Sequence, residues 1–253
     1  MYTVRIEGLQ QAIDLAGGFS ARRVAAMGAT IVTRLARAAE REWTGDIFAN
    51  IDRPISKTLN AALVKPASAA SPVAALLIKD APGAGGLAPV QWMAPHEDQG
   101  GRITKKFETG LMHQGAMPRG MKVVPGPAAQ LDGYGNISRG QIVAVLNQLG
   151  SDLSPGYQRV ISKSGARRLA RMVKHGRTYV AITKQQGKNR PGIYEKQGDA
   201  LRLVFVFVGR VNYRKRTNFA ALAQQVAETQ AGPIATQTFL EHLARIQAKG
   251  AAA

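Results

Sequence analysis

The sequence predicts an α+β fold: a small mixed β-sheet packed by long N- and C-terminal helices, with long loops. Stretches near both ends show helical apolar periodicity, and LRLVFVFV, Leu201–Val208, has the length and apolar character of a covered central strand. Hydrophobic residues make up 45% of the chain and aromatic residues 6%, so we expect a core of Val, Leu, Ile and Ala. Because no clear linker or internal repeat divides it, residues 1–253 are expected to form a single domain.

The N-terminal helix is preceded by a short strand and a glycine break. Tyr2–Ile6 alternates in polarity as a strand does, and Gly17 and Gly18 interrupt that pattern. A helix is then predicted from Ser20, a suitable N-cap, to about Phe48. Its buried face is expected to carry Val24, Met27, Ile31 and Leu35.

The next part of the chain alternates short strands with loops. Strands are predicted at Ala61–Lys65 and Val73–Lys79, and the two are placed to form a hairpin. Residues 80–102 are so rich in proline and glycine that they predict one long extended loop, of the kind that is usually functional or mobile. A helix over Ile103–Gln114 and a short strand at Met121–Val124 follow.

The stretch LDGYGNISRGQIVAVLNQLG, Leu131–Gly150, has the look of a phosphate loop that opens onto a helix. Both relevant motifs fail at a decisive position. In the P-loop spacing, Gln141 stands where the lysine belongs, and in the dinucleotide motif Ser138 replaces the third glycine. The pattern favours a tight turn instead.

A helix is predicted directly after this turn. Ser138 is expected to cap a helix over Arg139–Leu149, and Tyr134 is expected to anchor the turn by packing back on the body of the protein. The buried stripe of the helix is predicted to be Ile142, Val145, Leu146 and Leu149.

The chain is strongly basic. It has 34 Lys and Arg against 16 Asp and Glu, a net charge of +18, and a pI of about 10.7. An excess of this size favours an anionic partner, either a polyanion or an acidic protein, over a merely solvated basic surface, because self-repulsion destabilises the compact state.

The cationic residues concentrate in two places. Between Asp152 and Glu195 there is no acidic residue, and residues 159–190 form a basic segment in which Gly165–His175 has helical spacing. Binding to DNA and seating on an acidic protein surface both remain open. The predicted contact residues are Arg159, Lys163, Arg167, Arg168, Arg171, Lys174 and Arg177, with Arg214, Lys215 and Arg216 after the strand at Leu201–Val208.

The C-terminal part is predicted to be two successive helices. Asn218 is placed to cap the first, Gly232 and Pro233 are expected to interrupt it, and Pro233 suits the first turn of the second. Phe239, Leu240, Leu243 and Ile246 are expected to line the last helix.

The sequence gives no sign of catalytic or metal chemistry. The chain has no cysteine, and its four histidines are not spaced as metal ligands. His96, Glu97 and Asp98 lie in the predicted loop and are interpreted as solvated. We therefore expect no enzyme activity, no cofactor and no metal. We also expect no secretory signal and no membrane span, and a soluble protein made in the cytoplasm.

Four stretches resemble a known family, the minor tail proteins of long-tailed phages and prophages named after minor tail protein Z of phage lambda. They are DRPISKTLNAALVKPA from Asp52, VPGPAAQLDGYGNISRGQIVAVLNQL from Val124, PGIYEK from Pro191, and LRLVFVFVGRVNYRKRTNF from Leu201. The likeness spans most of the chain, but it does not cover the basic block from Arg159 to Arg177.

The resemblance implies a structural virion protein of the tail-completion or neck class. Such a protein forms a homo-oligomeric ring around the DNA channel, between the tail tube or tail terminator and the head connector or portal, and is made in the host cytoplasm. It has no membrane partner, and genomic DNA in the channel is a further candidate partner. The subunit contacts are then expected at Trp92, Tyr134, Asn136 and Arg139.

Two other functions remain as alternatives. A free nucleic-acid-binding, packaging or assembly factor would bind DNA tightly as an isolated monomer. The low aromatic content argues against recognition of single strands by base stacking. A nucleotide-dependent enzyme would require phosphate bound at Gly133–Gly140, and nucleotide would then raise its thermal stability.

Overall fold

The computed structural model describes residues 2–4, 20–82, 86–150, 167 and 177–250 of an α+β protein. Long helices lie near both ends of the chain, as predicted. The elements in chain order are β1 (Tyr2–Val4), α1 (Ala21–Asn50), α2 (Ser56–Leu59), β2 (Ala62–Lys65), β3 (Ala74–Ile78), α3 (Pro89–Asp98), β4 (Gly100–Gly101), α4 (Lys106–His113), β5 (Lys122–Pro125), α5 (Arg139–Gln148), β6 (Arg177–Ile182), β7 (Gly192–Gln197), β8 (Ala200–Val208), β9 (Asn212–Tyr213) and α6 (Phe219–Gly250).

The chain contacts group into two compact units, whereas the sequence predicts one domain. The first unit is Met1–Gly100 together with Arg214–Ala253, and the second is Gly101–Tyr213. The two-residue strands β4 and β9 pair where the chain enters and leaves the second unit. The first unit is thus assembled from both ends of the chain, and the second unit is inserted between them in sequence.

The first unit is built on α1, which packs along α6 and across β2 and β3. Its predicted apolar face is buried, and the buried Trp43 and Ile47 extend that face towards the C-terminal end of the helix. The predicted hairpin is confirmed, since β2 pairs antiparallel with β3, and β1 pairs with the other side of β3. The last two residues of the predicted first strand lie outside the described residues.

The predicted interruption of the C-terminal helix is wrong: α6 runs as one helix through Gly232 and Pro233. A proline inside a helix removes one backbone hydrogen bond, so packing on both sides must keep the helix together. Before the proline, Ala223 and Val226 are buried. After it, Arg34 of α1 donates to Thr238 at 3.1 Å and to Glu241 at 2.6 Å.

The second unit contains a four-stranded sheet in the order β5-β8-β7-β6. All of its pairings are antiparallel, where the sequence predicts a mixed sheet. The reason is local: β7 and β8 are joined by a tight turn in which Gly198 has a φ of 59°, so they pair as a hairpin.

The predicted strand at Leu201–Val208 is β8, and it is central, as expected. The short helices α4 and α5 contribute Phe107, Leu111 and Val145 to the core cluster that also contains Val204 and Phe205 of β8. The long helices were expected to pack on the sheet containing this strand. Instead α1 packs on β2 and β3, within the first unit.

The predicted extended loop over residues 80–102 contains a helix, α3. Pro89 occupies its first turn, where the missing N–H costs nothing. The side chain of Gln91 accepts a hydrogen bond from the Ala88 N–H at 3.1 Å, and Met93 and Pro95 are buried. The proline-rich composition hid this helix, because Pro89 suits its first turn whereas Pro95, in its interior, costs one backbone hydrogen bond without ending the helix.

Glu97, predicted to be solvated, instead joins three elements of the first unit. Its carboxylate accepts hydrogen bonds from Trp43 Nε1 of α1 at 3.3 Å, from Thr217 Oγ1 at 2.5 Å and from the Phe219 N–H at 2.7 Å. The last of these bonds gives an acceptor to one of the N–H groups that the first turn of a helix leaves without an intrahelical partner. Glu97 therefore connects α1, α3 and α6.

Replacing Glu97 by alanine is expected to destabilise the first unit by about 3 kcal/mol, because three partly buried donors lose their acceptor together. Urea unfolding followed by tryptophan fluorescence measures this loss, since Trp43 is one of the donors. Asp98→Ala, at the exposed neighbouring residue, is the matched control. If both variants unfold at the wild-type midpoint, Glu97 does not have this role.

The described helices include none that is long and apolar enough to cross a membrane.

Candidate functional site

The predicted turn, DGYGN at residues 132–136, lies within a closed and internally hydrogen-bonded loop, residues 130–138. Leu131 and Ile137 form an isolated antiparallel bridge across its base, and the Ser138 N–H donates to the Gln130 carbonyl at 2.7 Å. Inside the loop, the carboxylate of Asp132 accepts from the N–H groups of Tyr134 and Asn136, both at 2.9 Å. An Asp that folds back in this way fixes the turn backbone.

Glycine and serine hold the positions that this geometry requires. Gly135 has a φ of 78°, which a residue with a Cβ adopts only with strain. The Ser138 side chain accepts from the Gln141 N–H at 3.3 Å and so caps α5, as predicted. The predicted stripe of α5 is confirmed: Val145 and Leu146 are buried, and Ile142 and Leu149 pack against the same core.

The turn is attached to α5 through Gln141, which the sequence analysis did not single out. Its amide oxygen accepts from the Gln130 N–H at 2.7 Å, and the side chain is buried. A polar residue among apolar neighbours is the signal that could have revealed it, because a buried amide requires partners. The turn and the helix thus form one rigid piece.

The tip of this turn presents apolar side chains to solvent. Leu131 is 51% exposed and Tyr134 is 49% exposed. The expectation that Tyr134 packs back on the body of the protein is wrong, because Asp132 holds the turn and leaves the phenol ring outside. Asn136 and Arg139, also predicted as subunit contacts, are exposed on the same turn and at the start of α5.

Trp92, the remaining predicted subunit contact, lies on α3 in the first unit. Its ring is half-buried against the core, with the ammonium of Lys57 5.1 Å from the ring centroid. The indole Nε1–H is buried and finds no hydrogen-bond acceptor in the part of the chain that the structure describes. A contact made by Trp92 would therefore use the exposed part of the ring.

The structure describes part of the predicted basic surface. Arg167 is exposed in the second unit, and Arg177 is the first residue of β6. Arg214, Lys215 and Arg216 are exposed in the first unit, before α6. The predicted contacts that lie outside the described residues are Arg159, Lys163, Arg168, Arg171 and Lys174. Most of the predicted helix at Gly165–His175 also lies outside them.

Lys215 and Arg216 line an open groove of about 350 Å³ beside the start of α6. Arg216 also forms a hydrogen bond within the protein, since its guanidinium donates to the Asn50 carbonyl at 2.8 Å. Asp46 lies in the same groove; burial raises its pKa, and the hydrogen bond from Asn50 partly opposes that rise. The groove thus combines two cations with a single carboxyl.

No group of three or more His, Asp or Glu side chains that could hold a metal ion occurs among the described residues. The carboxylates with the most hydrogen bonds there, Glu97 and Glu108, are engaged by donors of the fold itself. Neither is placed to act on a ligand. The features that suit recognition are the exposed tip of the turn and the exposed cations.

No family model matches this chain, and neither a curated protein nor a solved structure is significantly similar to it.

Proposed function

We propose that this chain is a structural virion protein of the head–tail junction of a long-tailed phage. It assembles as a ring around the DNA channel and joins the tail to the head connector. The observation that carries the proposal is the turn at residues 130–138, a rigid loop that holds Leu131 and Tyr134 in solvent. The same turn contains the sequence stretch with the most specific resemblance to the minor tail protein Z family.

The geometry of the turn favours a protein partner. Burial of an exposed Leu or Tyr in an interface is worth about 1.5–3 kcal/mol each. Because Asp132 and Gln141 already fix the backbone, little conformational entropy is lost when the turn docks. A surface that docks on a different surface of the next copy produces a ring when the rotation closes.

The basic charge gives the ring a second kind of partner. The described residues contain only three salt bridges, Arg34–Glu241, Arg53–Asp52 and Arg102–Glu108, so most of their cations have no carboxylate partner within 4.0 Å. Such cations suit genomic DNA in the channel or an acidic surface of the connector. In both cases the contact weakens as salt increases.

The second candidate function is that of a free, non-specific nucleic-acid-binding or packaging factor, which the net charge of +18 favours. Identification of the chain in purified phage particles by mass spectrometry separates the two. The junction protein is retained in particles, whereas a packaging factor is absent from them and binds duplex DNA as a monomer.

If Arg214 and Lys215 contact DNA phosphates, the double variant Arg214→Glu, Lys215→Glu should reduce the salt dependence of duplex binding. The slope of log K against log salt is expected to fall by about 2, at roughly 0.9 per lost phosphate contact. Fluorescence anisotropy over a salt series measures it. Arg22→Glu, Arg23→Glu makes the same charge change at exposed residues of α1. An equal fall in that control would mean that net charge alone is responsible.

A further inference from the structure

The four-stranded sheet of the second unit has two edge strands, β5 and β6, among the strands that the structure describes. An edge strand presents backbone N–H and C=O groups that pair readily with a strand of another molecule. In an antiparallel sheet, every second residue of an edge strand directs both groups outward. On β5 and β6, side chains from the same unit form hydrogen bonds with some of these outward-facing backbone groups.

On β5 Val123 is an outward-facing residue. Its N–H donates to Glu108 Oε1 at 2.7 Å, and its carbonyl accepts from the Arg102 guanidinium at 2.8 Å. The Glu108 carboxylate and the Arg102 guanidinium therefore take the places of the C=O and N–H groups that a neighbouring strand would supply. Arg102 and Glu108 also form a two-pronged ion pair, with one of its bonds at 2.9 Å. The Lys105 N–H donates to Glu108 as well, at 2.7 Å.

On β6, Tyr179 is the outward-facing residue near the middle of the strand, between Arg177 and Ala181, which share its orientation. Its N–H donates to the side-chain oxygen of Gln148, the last residue of α5, at 2.6 Å. On its other side β6 pairs antiparallel with β7, with Val180 opposite Tyr194. The end of α5 therefore occupies this edge at the centre of the strand.

We infer that the Arg102–Glu108 pair and Gln148 keep the sheet from pairing, edge to edge, with a second copy of this chain. The β6 edge is the more susceptible of the two. Its sequence, RTYVAI, is rich in β-formers and contains no proline or glycine, and Val180 is 37% exposed. The β5 strand ends at Pro125, which cannot donate to a further ladder. This inference does not depend on the proposed function.

The test is Gln148→Ala in the full chain, compared with the wild type at equal concentration, so that any ring formation through the turn is common to both. Hydrogen exchange is expected to be at least about tenfold faster at the Tyr179 amide. Sedimentation is expected to show additional, concentration-dependent oligomers, with an infrared band of intermolecular β-structure.

Two further variants separate strand pairing from misfolding. Gln148→Glu keeps an acceptor for the Tyr179 N–H and should remain like the wild type. Adding Val180→Lys to Gln148→Ala places a charge on the edge strand and should abolish the additional oligomers. Oligomers that persist with Val180→Lys, or a Gln148→Ala variant that shows no additional oligomers, would overturn the inference.

Discussion

Replacing Glu108 by alanine is expected to destabilise the second unit by about 3–5 kcal/mol, the usual cost of breaking a buried ion pair by removing one partner. Glu108 is fully buried and holds Arg102, the start of α4 and the edge of β5 together. Without it, the Arg102 guanidinium remains buried with its charge uncompensated. Urea unfolding followed by circular dichroism measures the loss.

Two control variants define the cause. Glu108→Gln keeps an acceptor for the Val123 N–H but loses the charge, so it should be less destabilised than Glu108→Ala. Thr109→Ala changes the exposed neighbouring residue and should leave the free energy of unfolding almost unchanged. A wild-type midpoint for Glu108→Ala would show that the pair does not stabilise the unit.

The same pair predicts how stability depends on pH. Burial alone would raise the pKa of Glu108, but the hydrogen bonds from Arg102, Val123 and Lys105 outweigh it and hold the pKa below the ordinary 4.5. A carboxyl with a lowered pKa in the folded state contributes stability above its unfolded pKa. This contribution should decrease as the pH falls below about 4.5 towards the folded pKa, and the decrease should be absent in Glu108→Gln.

Replacing both Leu131 by serine and Tyr134 by alanine is expected to abolish ring assembly while the monomer stays folded. Both side chains are about half exposed, so the fold loses little, whereas an interface would lose two apolar contacts. A loss of about 3 kcal/mol weakens each contact by about two orders of magnitude. Light scattering of the purified chain and the titre of phage carrying the variant measure the effect.

A matched substitution tests whether the position of these side chains matters. Val143→Ser removes a comparably exposed apolar side chain from α5 in the same unit and should leave assembly intact. Tyr134→Phe, which keeps the ring, should assemble almost like the wild type. Wild-type assembly by the double variant would exclude the turn from the subunit contact.

Local patterns predicted much of the fold. The spacing of Val24, Met27, Ile31 and Leu35 identified α1, and Ser138 correctly marked the start of α5. These features depend on neighbours in sequence, which composition and periodicity describe. The turn at DGYGN, residues 132–136, was predicted for the same reason, from residues that favour turns.

The features that sequence missed depend on contacts between distant residues. Helix α6 continues through Pro233 because Arg34, on α1, bonds to residues beyond the proline. Glu97 and Glu108 become structural because donors from other elements converge on them. The exposed position of Tyr134 follows from how Asp132 folds the turn, which a list of turn-forming residues does not specify.

The measurement that tests the proposed function most directly is cryo-electron microscopy of purified particles of the phage that encodes this chain, at a resolution that traces side chains. We predict a closed ring of this chain between head and tail, with residues 131–137 at the contact between neighbouring copies. Particles with a complete neck and no density for this chain would contradict the proposal and favour the free DNA-binding or packaging factor.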